Sequence, residues 1–277
     1  MFGRVEILRC TSGEKSRAWR DALAGLTEAR LIKQEETPRR VAAVYRATLL
    51  GSQVAIKVAA PLGVRGTLCK LGLALTRARR AWNGAQILRA ASIETAEPFA
   101  LAVARWQHPS DPSRTLWAEL VAMEWLDGRT LLETMARSSA AERCRVARAL
   151  GRLTSRLTAS MVLNRDHKPS NIVVLTPEGN ADPTLALIDT DGIRTGVLAD
   201  RASVRMLRDL VLEPIGVGVP PTTRDVVCLF QGLREGGFWA DNEGAVRLFR
   251  RQLARSVAEA IEEHGDPTPK VNPLAAG

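Results

Sequence analysis

Asp166, Lys168 and Asn171 stand together in LNRDHKPSNIVV at residues 163–174, and the apolar β-branched run Ile172-Val173-Val174 follows at once. The run predicts a buried strand, which would hold the polar loop before it rigidly. An acid, an ammonium and an amide on a rigid loop suit phosphoryl transfer from a nucleotide. The acid orients or deprotonates the acceptor hydroxyl, the cation neutralises phosphate charge, and the amide oxygen binds a magnesium ion. The bland alternative is a polar surface loop, and two further stretches weigh against it. Val54-Ala55-Ile56-Lys57 ends an apolar run in a lysine, the place for a cation that reaches the α- and β-phosphates of a nucleotide. Leu185-Ala186-Leu187-Ile188-Asp189 ends another in an acid, with Asp191 two residues on, which puts a second magnesium ligand at a strand end.

These three matches, in this order, resemble the protein-kinase-like superfamily. The resemblance implies an α+β, two-lobed fold: a small antiparallel N-lobe sheet with one main helix, and a mostly helical C-lobe. The elements read from the sequence fit that plan. Strands are expected at 43–49 and 53–58, joined through Gly51-Ser52, with Val54 and Ile56 facing one way and Lys57 the other. A helix follows at about 73–91, with Ala78, Trp82, Ala85 and Leu88 as its packing stripe, after a loop at 61–66. A second strand pair is expected at 99–105 and 116–123. Near the N-terminus the pattern suggests a strand at 5–8, a turn at Ser12-Gly13-Glu14 and a helix at about 19–29. The stretch 124–131 turns from strand to helix, so backbone groups at Ala122, Met123 and Glu124 are the expected contacts for an adenine edge. Helices are expected at 140–160, from about 201, at 222–234 and at 242–263. The N-lobe would cover 1–123 and the C-lobe 124–264, with a disordered Pro-, Ala- and Gly-containing tail at 265–277. The arginines of the 140–160 helix, Arg143, Arg148 and Arg152 among them, read as a solvated face.

Composition bounds the rest. A chain of 277 residues, 45% hydrophobic, can bury a substantial core. Cys10, Cys69, Cys144 and Cys228 are scattered without a C-x-x-C pair, which suggests reduced thiols in a cytoplasmic protein and no zinc or disulfide role. There is neither a signal-peptide core nor an apolar run long enough to span a membrane. The formal charge of +9 is localised: residues 37–93 hold ten of the 39 basic residues and none of the 30 acids, leaving 29 against 30 elsewhere. That segment is either a solvated basic face or a surface for something anionic, such as a nucleotide, a phosphorylated glycan or the lipid of an anionic membrane. Nucleic acid is disfavoured, because Trp82 is the only aromatic beside the Arg77–Arg80 cluster.

Within the superfamily, RARRAWNGAQILRAASIETAEPFAL at 77–101 looks like the helix and following strand of the lipopolysaccharide kinase (Kdo/heptose kinase) family. MEWLDGRTL, NRDHKPSN, LIDTDG and the arginine–leucine helix at 201–212 share that likeness. The resemblance implies an enzyme that uses ATP and Mg2+ to phosphorylate a sugar hydroxyl of a glycolipid, or a related acidic sugar acceptor, at the cytoplasmic face of the inner membrane. By position, Asp166 is then the base and Lys168 the neutralising cation. Asn171 and Asp189 become metal ligands with Asp191 in reserve, and Lys57 holds the nucleotide. The departures are Asn164 where a histidine is usual, Ala81 where this family tends to carry glutamate, and no glycine in Glu35-Glu36-Thr37-Pro38-Arg39-Arg40. There Arg39 or Arg40 could supply phosphate-facing charge. A Ser/Thr protein kinase and a pseudokinase scaffold without turnover are the alternatives.

Overall fold

The computed structural model describes residues 1–11, 15–71, 73, 75–175, 182–196, 199–238, 243–265, 267–268 and 274. The turn expected at Ser12-Gly13-Glu14 and most of the tail at 265–277 lie outside them. The chain forms two compact units, Met1–Ile87 with Ala96–Trp125, and Leu88–Thr95 with Leu126–Gly277.

The first unit is built on a six-stranded antiparallel sheet: β1 (Phe2–Cys10), β2 (Arg30–Thr37), β3 (Arg40–Leu49), β4 (Ser52–Pro61), β5 (Pro98–His108) and β6 (Asp111–Glu124), in the spatial order β1-β5-β6-β4-β3-β2. Alternation decides its faces. Val41, Ala43, Tyr45, Ala47 and Leu49 of β3 bury with Val54, Ile56 and Val58 of β4 in one cluster that also holds Trp106 and Leu120. Helix α1 (Ser16–Ala24) closes that face through Trp19 and Leu23, and Trp19 stacks on Phe99 at 5.3 Å between ring centroids. Leu50 and Gly51 take positive φ, 50° and 80°, to turn β3 into β4. The periodicity-based reading is corrected in two places. β2 is an exposed edge strand without apolar alternation, held by its ladder to β3. The stretch after Pro61 is not only a loop: it carries α2 (Val64–Lys70), whose Cys69 is buried. Helix α3 (Arg77–Ala90) follows, with Ala78, Trp82, Ala85 and Leu88 all buried as its spacing requires.

The second unit is mostly helical: α4 (Leu131–Arg137), α5 (Ala140–Ala159), α6 (Ala199–Gly216), α7 (Thr223–Glu235) and α8 (Glu243–His264). Its short strands are β7 (Arg129–Thr130), β8 (Val162–Asn164), β9 (Ile172–Leu175), β10 (Thr184–Leu187) and β11 (Ile193–Thr195), paired as β10-β9-β7 and β11-β8. Thr130, Ser139 and Thr222 begin α4, α5 and α7 with reciprocal capping boxes to Glu133, Glu142 and Asp225. α5 and α7 cross closely because Gly151 and Gly232 face each other's backbone. A Cβ at Gly232 would fall on the Arg148 carbonyl, and one at Gly151 on that of Leu229.

Two sequence expectations fail at this crossing. Cys144 of α5 and Cys228 of α7 form a disulfide across a sequence separation of 84, so these two are not reduced thiols. Cys10 and Cys69 are free. The α5 arginines are not simply solvated either. Arg143 pairs with the buried Asp225, while Arg148 and Arg152 both pair with Glu235. No helix among the described residues is long and apolar enough to cross a membrane.

Candidate active site

In the second unit the loop from β8 to β9 carries Asp166, Lys168 and Asn171, and a set of short hydrogen bonds holds it. Lys168 N–H donates to the Asp166 carbonyl (3.0 Å) and Asn171 N–H to the Lys168 carbonyl (2.9 Å), closing a 3₁₀ turn at Pro169–Asn171. The Asn171 side-chain nitrogen donates to the Asp166 carbonyl (3.1 Å) and to its carboxylate Oδ2 (2.9 Å). Both partners are acceptors only, so the amide has one sensible orientation, and its oxygen is left as an acceptor for a cation. Lys168 Nζ lies 3.3 Å from Asp166 Oδ1. Both carboxylate oxygens therefore have a neighbour, and the acid is held at a fixed angle while half-exposed.

Asn164, fully buried at the end of β8, is the base of this loop. Its carbonyl oxygen accepts from Asp166 N–H (3.2 Å), which turns its amide nitrogen toward His167 Nδ1 (3.3 Å). His167 is then the Nε2–H tautomer, and that nitrogen has no partner among the described residues. Burial pushes the imidazole down to about 3, so it stays neutral. The asparagine at this position does positional work through its two-ended amide.

A third anchor comes from α6. Glu213 accepts from Ser170 N–H (2.8 Å) and Ser170 Oγ–H (2.6 Å), fixing the turn beside Asn171. One residue turn earlier on α6, Arg208 donates to Asp209 (2.8 and 3.0 Å). Burial raises the Asp209 pKa, and the negative charge of Asp166 adds to the rise.

The segment with Asp189 and Asp191 is tied to the same loop at both ends. Ile188 N–H donates to the Asn171 carbonyl (3.0 Å), and Ile193 pairs with Asn164 across β11 and β8. Between them Arg165 N–H donates to the Gly192 carbonyl (3.2 Å). A Cβ at Gly192 would meet Asp166 N at 3.3 Å and Asn164 Oδ1 at 3.4 Å, so the close approach favours glycine. Upstream, Thr95 Oγ–H donates to the Leu187 carbonyl (2.6 Å) and Leu187 N–H to that of Glu94 (3.0 Å), steadying β10 where it delivers Asp189. Arg194 Nη1 turns back onto the Ile193 and Asp191 carbonyls (2.6 and 3.3 Å).

The donor set fits a hard divalent cation. Two carboxylates and one amide oxygen, on a segment and a loop that are hydrogen-bonded together, are what Mg2+ or Ca2+ takes when phosphates and water complete its shell. Among the described residues no group of three or more His, Cys, Asp or Glu side chains is placed to hold a metal ion.

In the first unit, Lys57 sits on β4 opposite Val121 of β6, on the sheet face away from the Val54–Ile56–Val58 core. Ala59 pairs with Glu119, so Glu119 is on the same face as Lys57, one diagonal step away and within reach of a long side chain. Glu119 is fully buried. It accepts from Arg79 Nη2 of α3 (2.6 Å) and from Thr76 Oγ, and burial raises its pKa against those bonds. The helix lacks a glutamate, as the sequence shows; it contributes an arginine, and the strand contributes the acid. Ala122 and Met123 lie within the β4–β6–β5 ladders, and Glu124 N–H donates to the Glu97 carbonyl (2.8 Å). Arg40, one of two arginines considered for phosphate-facing charge, pairs with Glu35 across the β2–β3 hairpin (2.7 Å).

Glu213, Glu119 and Arg79 escape sequence reasoning because their partners are 40 or more residues away: 43 for Ser170–Glu213 and 40 for Arg79–Glu119. Asn164 was visible only as a departure at a familiar position.

No family model matches the chain, and no curated protein matches it in sequence. Solved structures do match. A WaaP structure in complex with acyl carrier protein superposes with a TM-score of 0.57 at 17% identity, over 91% of this chain and 98% of that one. The amicoumacin kinase hAmiN, in complex with AMP-PNP, Ca2+ and Ami, does so with a TM-score of 0.51 at 12% identity, over 87% and 90%. At such identities the likeness concerns the fold, and the fold is the protein-kinase-like one expected from the sequence.

Proposed function

We propose that this protein is an ATP- and divalent-metal-dependent phosphotransferase acting on a sugar hydroxyl of a glycolipid or acidic sugar, the reaction that its lipopolysaccharide-kinase-like motifs suggest. The observation that carries the reading is the pinned Asp166: Asn171 on one carboxylate oxygen, Lys168 beside the other, and the Asp189 segment hydrogen-bonded to the same Asn171. Asp166 orients the acceptor hydroxyl and takes its proton as the oxygen bonds to the γ-phosphorus of ATP, while the β–γ bridging P–O bond breaks and ADP leaves. Lys168 neutralises charge on the transferred phosphoryl group. Asn171 and Asp189 hold the metal, with Asp191 as the reserve ligand. Such an ion, when bound there, would supply charge that offsets the phosphates of ATP. Lys57 serves the α- and β-phosphates, and the Ala122–Glu124 backbone the adenine. Residues 1–123 thus form the nucleotide-phosphate side, and 124–264 the catalytic and metal side.

A compact acceptor is favoured over a peptide because little chain separates Asp189 from α6, and part of it is committed to β11. A peptide-phosphorylating kinase needs an extended docking segment there. The neighbour bound to Ca2+ and AMP-PNP supports nucleotide and metal use by this fold.

The test is incubation with labelled ATP and Mg2+ against fractionated envelope glycolipid, acidic sugars and generic peptides. Label is expected on glycolipid or sugar. Asp166→Asn should keep the nucleotide-dependent thermal shift while transfer falls about 10²–10⁴-fold. Asp189→Ala should remove the metal dependence of the shift; loss with Asp191→Ala alone would move the ligand by two residues. Nucleotide at about 100 times its dissociation constant should stabilise the parent by about 2.7 kcal/mol. No shift at all would leave a scaffold without turnover, and label on peptides alone would favour the protein-kinase alternative.

A further inference from the structure

Five side chains of the first unit, Val64, Leu68, Leu71, Leu73 and Leu75, face solvent where a soluble surface would hide them. Val64 is 81% exposed, Leu68 41%, Leu71 62%, Leu73 68% and Leu75 67%. Single exposed leucines need no explanation, but a run of them marks an interaction surface. Its geometry is not accidental disorder of the pattern. α2 buries Cys69 toward the sheet, while Val64 and Leu68, four apart, share an outward face. Arg65 and Lys70 are exposed beside them, and Lys70 Nζ lies 5.8 Å from the ring of Trp117 on β6. An aromatic paired with a lysine at the edge of an apolar patch is the arrangement of a lipid headgroup boundary. No acid occurs anywhere from residue 37 to residue 93, so nothing in this stretch repels an anionic surface.

We propose that Val64, Leu68, Leu71, Leu73 and Leu75 dock the protein on an anionic bilayer: these five aliphatic side chains enter the boundary between headgroups and acyl chains, and Arg65 and Lys70 meet the anionic headgroups. Both contributions are required, since a few aliphatic side chains or a few cations alone give only marginal binding. The exposed aliphatic and basic side chains stand apart from the phosphotransfer residues, although a glycolipid acceptor would give the docking its purpose.

The experiment is co-sedimentation of the intact protein with vesicles of phosphatidylcholine alone or mixed with phosphatidylglycerol. Retention is expected on the anionic vesicles only, falling as salt shortens the screening length from about 10 Å at 0.1 M to about 3 Å at 1 M. The triple variant Leu71→Asp, Leu73→Asp, Leu75→Asp should lose roughly tenfold or more in partitioning. The double variant Arg65→Glu, Lys70→Glu should lose most of the salt-sensitive part, and Leu73→Ser alone, at a side chain 68% exposed, should give a smaller loss with the fold kept. No retention of the parent at low salt, or equal retention of the triple variant, would overturn the proposal. So would capture of a soluble acidic protein by this surface with no vesicle binding. The nucleotide-dependent thermal shift, measured on the same preparations, separates this outcome from failure of the phosphotransfer reading: docking variants should keep the shift.

Discussion

Replacing Glu213 tests whether α6 sets the position of the catalytic loop. The carboxylate accepts two hydrogen bonds from one residue, Ser170 N–H at 2.8 Å and Ser170 Oγ–H at 2.6 Å. Hydrogen bonds to a charged group contribute roughly 1.5–3 kcal/mol each, so the pair sets a ceiling of about 3–6 kcal/mol. Glu213 and Ser170 are both half-buried, and water can replace part of what is lost, so Glu213→Ala should cost about 2 kcal/mol in urea denaturation with an unchanged slope. The loss should be local as well as global: the Ser170 amide, hydrogen-bonded to Glu213 in the parent, should exchange its hydrogen much faster in the variant. Since Asn171 follows Ser170 directly, a shift there moves the amide that pins Asp166, and a displacement near 1 Å can lower turnover about 100-fold. Glu213→Gln keeps an acceptor for the amide and a donor or acceptor for the hydroxyl, and should recover most of both effects. If Glu213→Ala leaves stability within about 0.5 kcal/mol, Ser170 exchange unchanged and transfer intact, α6 is not what positions this loop.

Three further outcomes follow from the second unit. His167 is neutral in the fold at any pH above about 3, whereas in the unfolded chain it takes a proton below its ordinary value near 6.5. Stability contributed by this group is therefore full above that value and falls as the pH drops toward 3. The loss at pH 5 should be about 2 kcal/mol, and His167→Gln should flatten that part of the denaturation profile; an unchanged profile would mean that the imidazole is not buried neutral. Reduction of Cys144–Cys228, which closes an 84-residue separation, should destabilise the protein by about 2–4 kcal/mol, with Cys10 and Cys69 the only thiols titratable in the denatured, unreduced protein. Gly232→Ala drives a methyl into the Arg148 backbone and should cost at least 1–3 kcal/mol, roughly the penalty for overpacking, whereas Gly237→Ala tests only a positive φ of 88° in open space. Equal midpoints for Gly232→Ala and the parent would mean that α5 and α7 are not in backbone contact.

Much of this architecture is decided within a few residues of chain. The stripe Ala78–Trp82–Ala85–Leu88 must bury on one helix face, and Val54 and Ile56 must face away from Lys57, because helical and strand periods are properties of neighbours. The loop at 164–171 is similarly local: Asn164, Asp166, Lys168 and Asn171 reach one another across spacings of two to five residues, so their order alone limits how they can bond. What only the tertiary structure decided is everything whose partner is remote. β2 carries no apolar alternation and exists as a strand because β3 supplies its ladder. Cys144 meets Cys228 because two glycines let α5 and α7 cross closely, and the same crossing turns Arg143, Arg148 and Arg152 from a solvated face into a set of ion pairs. Arg79 meets Glu119, and Glu213 meets Ser170, across 40 and 43 residues. A single charged residue in a sequence has many candidate partners of opposite sign; which one it meets depends on how helices and sheets pack, and that is set by the sum of all apolar contacts rather than by any local pattern.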